Sequence, residues 1–346
     1  MVTFSLMSLL DTASQTGFHS RSMSNPSQCL VTGAAGFIGS HLVDVLLARG
    51  ATVAGVDNLK LGKREHLKNA LANPRFHFYV ADLNDLSACQ KIISAESESA
   101  PIDIVWHLAA NSDIRAGATD PDVDLRDTFL TTYSVLKLMR EHKIPRLAFA
   151  SSSAIYGVQP GAVREDAGPL FPISNYGAMK LASEAAISAA LEAYLQSAWI
   201  FRFPNVVGSR ATHGAIYDFC HKLKKNPAEL EVLGDGSQEK PYFHVADLID
   251  AMLFIADNAK EKLNFFNIGT TDSVTTVHHL AETVVKQMSP DAKIRYTGGN
   301  RGWVGDVPKF SYSVGKLKAL GWSPQFTSNQ AVERAVAEIV TEVKNS

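Results

Sequence analysis

The sequence predicts a doubly wound parallel α/β sheet followed by a smaller C-terminal lobe, and three observations carry that expectation. Short apolar runs alternate with amphipathic helical stretches from Cys29 onward, a glycine-rich segment separates the first run from the first helical stretch, and the alternation turns irregular after Pro204. Parallel strands need a long crossover between them, usually a helix, so this alternation is the pattern of βαβ units.

Taken in order, Cys29-Leu30-Val31 is the first strand. Ile38, Leu42, Val45 and Leu46 then recur at helical spacing until Gly50, a residue suited to ending a helix. Thr52 to Val56 is the second strand, and further strands are expected at Phe76 to Val80, Ile104 to Leu108, Arg146 to Ala150 and Trp199 to Phe203. Beyond Pro204 come loop-like stretches, Gly234-Asp235-Gly236-Ser237 and Gly298-Gly299-Asn300-Arg301-Gly302, and short helices ending in Gln330 to Lys344. The expected division is a tail at 1–27, a sheet domain at 28–203 completed by 240–262, and a second lobe from 204–239 and 263–346. With no repeat or low-complexity linker, the two lobes should share a cleft.

Composition narrows the function. The 346 residues carry 33 Lys+Arg against 35 Asp+Glu, a net charge of -2, so no global field recruits nucleic acid or an anionic membrane. Cys29, Cys89 and Cys220 are odd in number and have no metal-ligand spacing, which suggests neither a disulfide framework nor a metal site. No apolar run approaches the roughly 20 residues that span a bilayer. Met1 to Ser27 is rich in Ser and Thr and reads as a disordered tail, with Met23 as an alternative start. An organellar leader is the rival reading, set against a tail whose basic residues are Arg21 and His19. A cytoplasmic setting follows as the expectation.

The segment Gly33-Ala34-Ala35-Gly36-Phe37-Ile38-Gly39 lies where a strand gives way to a helix, the context in which backbone N–H groups meet a pyrophosphate. Gly36 and Gly39 take the second and third glycine positions of the dinucleotide (Rossmann) fingerprint, while Ala34 stands at the first and Gly33 comes one residue earlier. Asp57, with Asn58 beside it, ends the second strand 24 residues after Gly33, where a carboxylate accepts from the adenosine ribose and repels a 2′-phosphate. This favours NAD over NADP, although Lys63 and Arg64 follow closely.

Tyr176 and Lys180 are four apart, so on a helix the ammonium lies one turn from the phenol and is expected to lower a pKa of roughly 10 toward working pH. Tyr133/Lys137 and Tyr312/Lys316 share that spacing. Position separates them: Tyr176 follows the strand ending in Ser151-Ser152-Ser153 and opens the next helix, whereas Tyr133 precedes that strand and Tyr312 lies far beyond it. A serine at the carboxyl end of a parallel strand faces the crevice where ligands bind in open α/β sheets. His107 reads as structural, and His278-His279 as a helix surface.

With these pieces in order the chain resembles the extended short-chain dehydrogenases/reductases, in their NAD-dependent epimerase/dehydratase family, and most closely the archaeal-type UDP-glucose 4-epimerases. The likeness runs from Cys29 to the C-terminus and includes Arg202-Phe203-Pro204-Asn205-Val206-Val207-Gly208, Leu233-Gly234-Asp235-Gly236-Ser237-Gln238 and Arg301-Gly302-Trp303-Val304-Gly305-Asp306. It implies a catalytic trio of Ser152, Tyr176 and Lys180, with Asp82-Leu83 on the adenine side and Leu108-Ala109-Ala110 under the cofactor. It implies sugar-nucleotide contacts at Ser152, Tyr176, Asn205, Leu233, Lys240 and Arg301. Lys240 stands where relatives carry an arginine, and Thr128 where many carry an asparagine. The implied reaction is exchange of UDP-glucose and UDP-galactose through a 4-keto sugar with tightly held NAD. The implied assembly is a homodimer through a four-helix interface, formed by Asp122 to His142 and Tyr176 to Gln196. Rivals are a 4,6-dehydratase or decarboxylase, which would need further acid/base groups beside Ser152, and a catalytically idle NAD-binding module.

Overall fold

The computed structural model describes residues 28–159, 161–270, 273–299, 311 and 313–345. The expected tail, Arg301 and Tyr312 lie outside the described residues. The strands are β1 (Gln28–Thr32), β2 (Thr52–Asp57), β3 (Phe76–Val80), β4 (Ile104–His107), β5 (Arg146–Ala150), β6 (Ser197–Arg202), β7 (Asn205–Val207), β8 (Glu229–Val232), β9 (Glu239–Lys240), β10 (Tyr242–His244), β11 (Leu263–Asn267), β12 (Thr275–Thr276) and β13 (Lys293–Tyr296). The helices are α1 (Phe37–Ala48), α2 (Leu86–Ser97), α3 (Ile114–Thr119), α4 (Pro121–Asp124), α5 (Thr131–Glu141), α6 (Asn175–Ala193), α7 (Ala215–Lys225), α8 (Val245–Asn258), α9 (Val277–Met288), α10 (Gly315–Leu320) and α11 (Ser328–Asn345).

Seven parallel strands form the central sheet in the order β11-β6-β5-β4-β1-β2-β3. On one face α1 and α8 contribute Leu42, Val43, Leu46, Leu248 and Met252; on the other α2, α5 and α6 contribute Ile93, Leu136, Met139, Ile187 and Leu191. Covered on both sides, β1 is buried throughout, and this is why its sequence shows a continuous apolar run rather than an alternation. A third core joins α7, α9 and α11 to β8 through Phe219, Leu230, Leu280 and Val336. Strand order reverses between β1 and β4, so the crevice at their carboxyl ends is the place for a ligand.

Two boundaries differ from expectation. Leu263–Asn267, assigned from sequence to the second lobe, pairs with β6 and is the edge strand of the central sheet. Asn264 and Asn267 interrupt its apolar run, yet both are buried: Asn264 donates to Ala198 O and Glu261 O, Asn267 to Val163 O and Ser313 O. The single helix expected from Asp122 to His142 is α4, a π-helical turn over Leu125–Leu130, and α5. Here the Thr131 and Thr132 hydroxyls both donate to Thr128 O, and threonine side chains returning to the backbone compete with regular helical bonding. Among the described residues no helix is long and apolar enough to cross a membrane, and no His/Cys/Asp/Glu cluster could hold a metal.

Candidate active site

The β1–α1 turn is shaped by two glycines. Gly33 has φ of 70°, and a Cβ there would lie 2.8 Å from Ala109 N; a Cβ on Gly39 would fall 2.0 Å from Gly33 O. Glycine lets the turn close against β4's exit and lets α1 start beneath it. Asp57 is buried beside this turn, its two oxygens accepting Ala35 N at 3.0 Å and Leu59 N at 2.8 Å. Desolvation raises its pKa, and these backbone N–H groups act in the opposite direction. The carboxylate therefore locks the loop and retains lone pairs for a further donor.

A cleft of 1020 Å³ runs from this turn to the second lobe. It is lined by Gly33, Gly36, Phe37, Ile38, Gly39, Asp57, Asn58, Asp82, Leu83, Leu108, Ala109 and Ala110, and also by Ser152, Tyr176, Lys180, Asn205, Leu233 and Lys240. The expected cofactor, catalytic and sugar-nucleotide residues that are described thus share one cavity. The glycine-containing turn, the buried Asp57 carboxylate and the small residues after β4 fit a dinucleotide.

The three serines after β5 point to different tasks. Ser151 is buried, and its Oγ donates to Glu184 Oε1 at 2.5 Å. Glu184 in turn takes Arg202 Nη2 at 2.6 Å and Nε at 3.0 Å, a fork that ties α6 to β6. Ser152 hydrogen-bonds the Tyr176 side chain and accepts Ala154 N at 3.1 Å. Ser153 starts the following helical turn. Ser152 is the serine that meets the tyrosine.

Lys180 is buried, donates to Ala150 O at 2.6 Å, and sits 5.8 Å from the Tyr176 ring centroid. The expected lowering of the tyrosine pKa is not what the surroundings produce. Burial pushes Tyr176 up to about 12, against the Ser152 hydrogen bond, and pushes Lys180 down to about 7. Each charged form loses more hydration than the neighbouring group returns. His107 is wholly buried between Thr32 Oγ1 at 2.6 Å and Thr132 Oγ1 at 3.0 Å, and burial holds it down to about 3, a neutral structural imidazole.

Sequence reading missed part of the lining. Tyr217, His221 and Lys225 follow one another at intervals of four along α7 and face the cleft, a spacing that could have marked one helix face. Arg115 lines it too, 3.8 Å from Asp218 across the two lobes. Lys60 reaches over from the loop after β2 to pair with Asp127. No local signal joins residues so distant in sequence. Tyr133, by contrast, is half exposed on α5 and stacks on Phe129, away from the cleft.

Residues 29–269 match the NAD dependent epimerase/dehydratase family. A Methanocaldococcus jannaschii protein named "Putative UDP-glucose 4-epimerase" is 31% identical over 89% of this chain and 96% of its own length. A crystal structure of UDP-galactose 4-epimerase superposes with a TM-score of 0.79 at 35% identity, covering 91% of this chain and 99% of its own. The Streptomyces venezuelae dTDP-glucose 4,6-dehydratase DesIV, with NAD bound, gives 0.80 at 25% identity, covering 92% and 98%. The chain belongs to the NAD dependent epimerase/dehydratase family, and NAD is its cofactor.

Proposed function

We propose that the protein is a UDP-glucose/UDP-galactose 4-epimerase, inverting the C4 hydroxyl through a transient 4-keto sugar. The observation that carries this reading is the convergence of Ser152, Tyr176 and Lys180 on the cleft that also holds the glycine turn and Asp57. NAD, when bound, supplies the acceptor that takes hydride from C4 and returns it to the other face, so the sugar gains and loses no electrons overall. Tyr176 removes the C4 hydroxyl proton and gives it back, Ser152 orients that hydroxyl, and the Lys180 ammonium opposes the burial that keeps the phenol neutral. Asn205, Leu233 and Lys240 form the wall assigned to the sugar nucleotide. Lysine at 240 keeps a cation for a diphosphate but loses the bidentate fork of arginine.

Carboxylate placement supports epimerisation over dehydration or decarboxylation. Asp57, Asp82, Asp113, Asp127 and Asp218 line the cleft among the described residues, and each already accepts a bond or faces a cation: Ala35 and Leu59, Asn58 and Asn84, Arg115, Lys60 and Arg126, and Arg115 again. Glu184, closest in sequence to Tyr176 and Lys180, is clamped by Arg202. A second acid/base for elimination has no open candidate among them.

The test is a panel of UDP-sugars with purified protein and no added cofactor. C4 inversion of UDP-glucose or UDP-galactose is expected, with NAD(H) released when the protein is denatured. A requirement for external NAD at every turnover, with NADH accumulating alongside product, would overturn the reading in favour of a dehydrogenase.

A further inference from the structure

The wall assigned to the sugar nucleotide is held from behind by a short segment that does not itself line the cleft. Residues 203–219 all line the cavity except Gly208, Ser209 and Arg210. These three meet both halves of the protein instead. Gly208 has φ of 151° and packs on the start of α8, where a Cβ would come within 2.6 Å of Val245 Cγ1. Ser209 N donates to Glu338 Oε2 at 2.9 Å and Arg210 N to Glu342 Oε1 at 3.0 Å, both carboxylates on α11. From the other half α1 supplies two contacts: His41 Nε2 donates to Ser209 O at 3.1 Å, and Asp44 Oδ2 accepts Arg210 Nη2 at 2.7 Å. The helix that follows the glycine turn thus grips the back of the nucleotide wall, and the His41 ring stands edge-on to Phe37, which lines the cofactor end of the cleft.

Arg210 bears two costs in this arrangement. Its backbone has φ of 64°, the left-handed region that a side chain rarely adopts, and its Nη1 is buried with no partner within the chain. Such costs persist only where the surroundings over-determine the conformation, and they gather at functional sites. Here the two helices over-determine it, Glu342 holding the backbone N–H and Asp44 the guanidinium. Glu338 is fixed in its turn by His244 Nε2 at 3.2 Å and Arg334 Nε at 3.0 Å, and β10, which carries His244, pairs with β7 and places Tyr242 beside Asn205.

We infer that Arg210 is a positioning residue for sugar-nucleotide binding, the pin by which α1 and α11 hold the wall at 205–216 in its binding geometry. This rests on the reading of that wall as the sugar-nucleotide site. A pin adds no contact to the ligand; it removes the cost of ordering the wall when the ligand arrives. Its loss should weaken ground state and transition state alike, raising KM and sparing kcat.

The test is calorimetric titration of the holoenzyme with UDP, beside steady-state turnover of UDP-glucose. Arg210→Gly removes the side chain and leaves a residue that adopts positive φ freely, while Asp44→Asn removes the partner's charge without touching the segment. In each, the UDP Kd and the KM should rise by roughly two- to thirtyfold with kcat held within about twofold. Arg210→Lys, which keeps the cation, should recover most of the affinity. The double variant Asp44→Asn/Arg210→Gly should be no weaker than the weaker single one, because both remove the same link. An unchanged UDP Kd in the folded variants overturns the inference, as does a fall in kcat at constant KM or additive losses in the double variant, which would mark a general loosening of the fold. A wild-type protein that takes up no UDP removes the wall assignment and the pin together. Weakened UDP binding in variants of a protein that inverts no UDP-sugar would sink the proposed activity and leave the pin standing.

Discussion

At the scale of single residues, hydration decides which side chains carry charge. His107 is neutral in the fold because its surroundings push it down to about 3. The unfolded chain protonates near 6.5, so unfolded molecules bind more protons between those values. Stability should therefore be intact above pH 6.5 and fall as the medium is acidified below it, by about 2 kcal/mol at pH 5 from this histidine. Urea titrations at pH 7 and pH 5 should show that loss, and His107→Gln should shrink it. An equal loss in the variant would place the acid sensitivity elsewhere. Tyr176→Phe should fold and bind NAD while turnover falls on the order of 10²–10⁴-fold, whereas Tyr133→Phe, altering a half-exposed ring on α5, should remain active. Equal activity in folded Tyr176→Phe and wild type would refute the assignment. That the Tyr176/Lys180 pair lines the cleft, and Tyr133 does not, was legible from the pair's place after β5. The direction of its pKa shifts was not, because depth of burial is set by distant segments that local sequence does not reveal.

Among elements, the segments facing the cofactor turn are tied together across the cleft. Lys60, in the loop after β2, pairs with Asp127 in the π-helical turn, and Asp127 also holds Arg126. Lys60→Ala should quicken release of bound NAD by roughly two- to fivefold, the range of an exposed pair worth up to about 1 kcal/mol. Raised salt should erase the difference. Chase of prebound labelled NAD measures it, and identical wild-type and variant rates at low salt would show that the pair does not restrain the cofactor. Six of the seven sheet strands were legible within a few residues because each is a short run of apolar and β-forming residues, buried along most of its length in all but the edge strand β3. The edge strand β11 was not, since Asn264 and Asn267 imitate a turn, and only their tertiary partners explain their burial. The π-turn escaped for a related reason: threonine hydroxyls redirecting the backbone leave no change in apolar period.

For the whole molecule, the expected pairing of α5 and α6 with a second copy has physical support in Leu125, Leu130 and Tyr133, large apolar residues that stand exposed on or just before α5. Light scattering after size exclusion should give twice the chain mass, and Tyr133→Glu should shift the population toward monomer without unfolding it. A wild-type monomer at micromolar concentration would remove the four-helix assembly. The two lobes within one chain are a separate matter. Their shared cleft is spanned by the Arg115–Asp218 contact and by Lys63 over the Tyr217 ring at 6.0 Å.

The placement of β11 also bears on how the protein is made. Synthesis runs from the N-terminus, yet the strand that covers the edge of β6 is Leu263–Asn267. The cofactor-binding half is therefore not finished when residue 203 leaves the ribosome. Until Asn267 has emerged, β6 presents an unpaired row of peptide groups, and Tyr156 lacks the Asn267 oxygen to which its hydroxyl donates at 2.7 Å. A nascent chain stalled before that point carries an open sheet that invites chaperone capture or edge-to-edge aggregation, and the vulnerability ends only when the last strand docks.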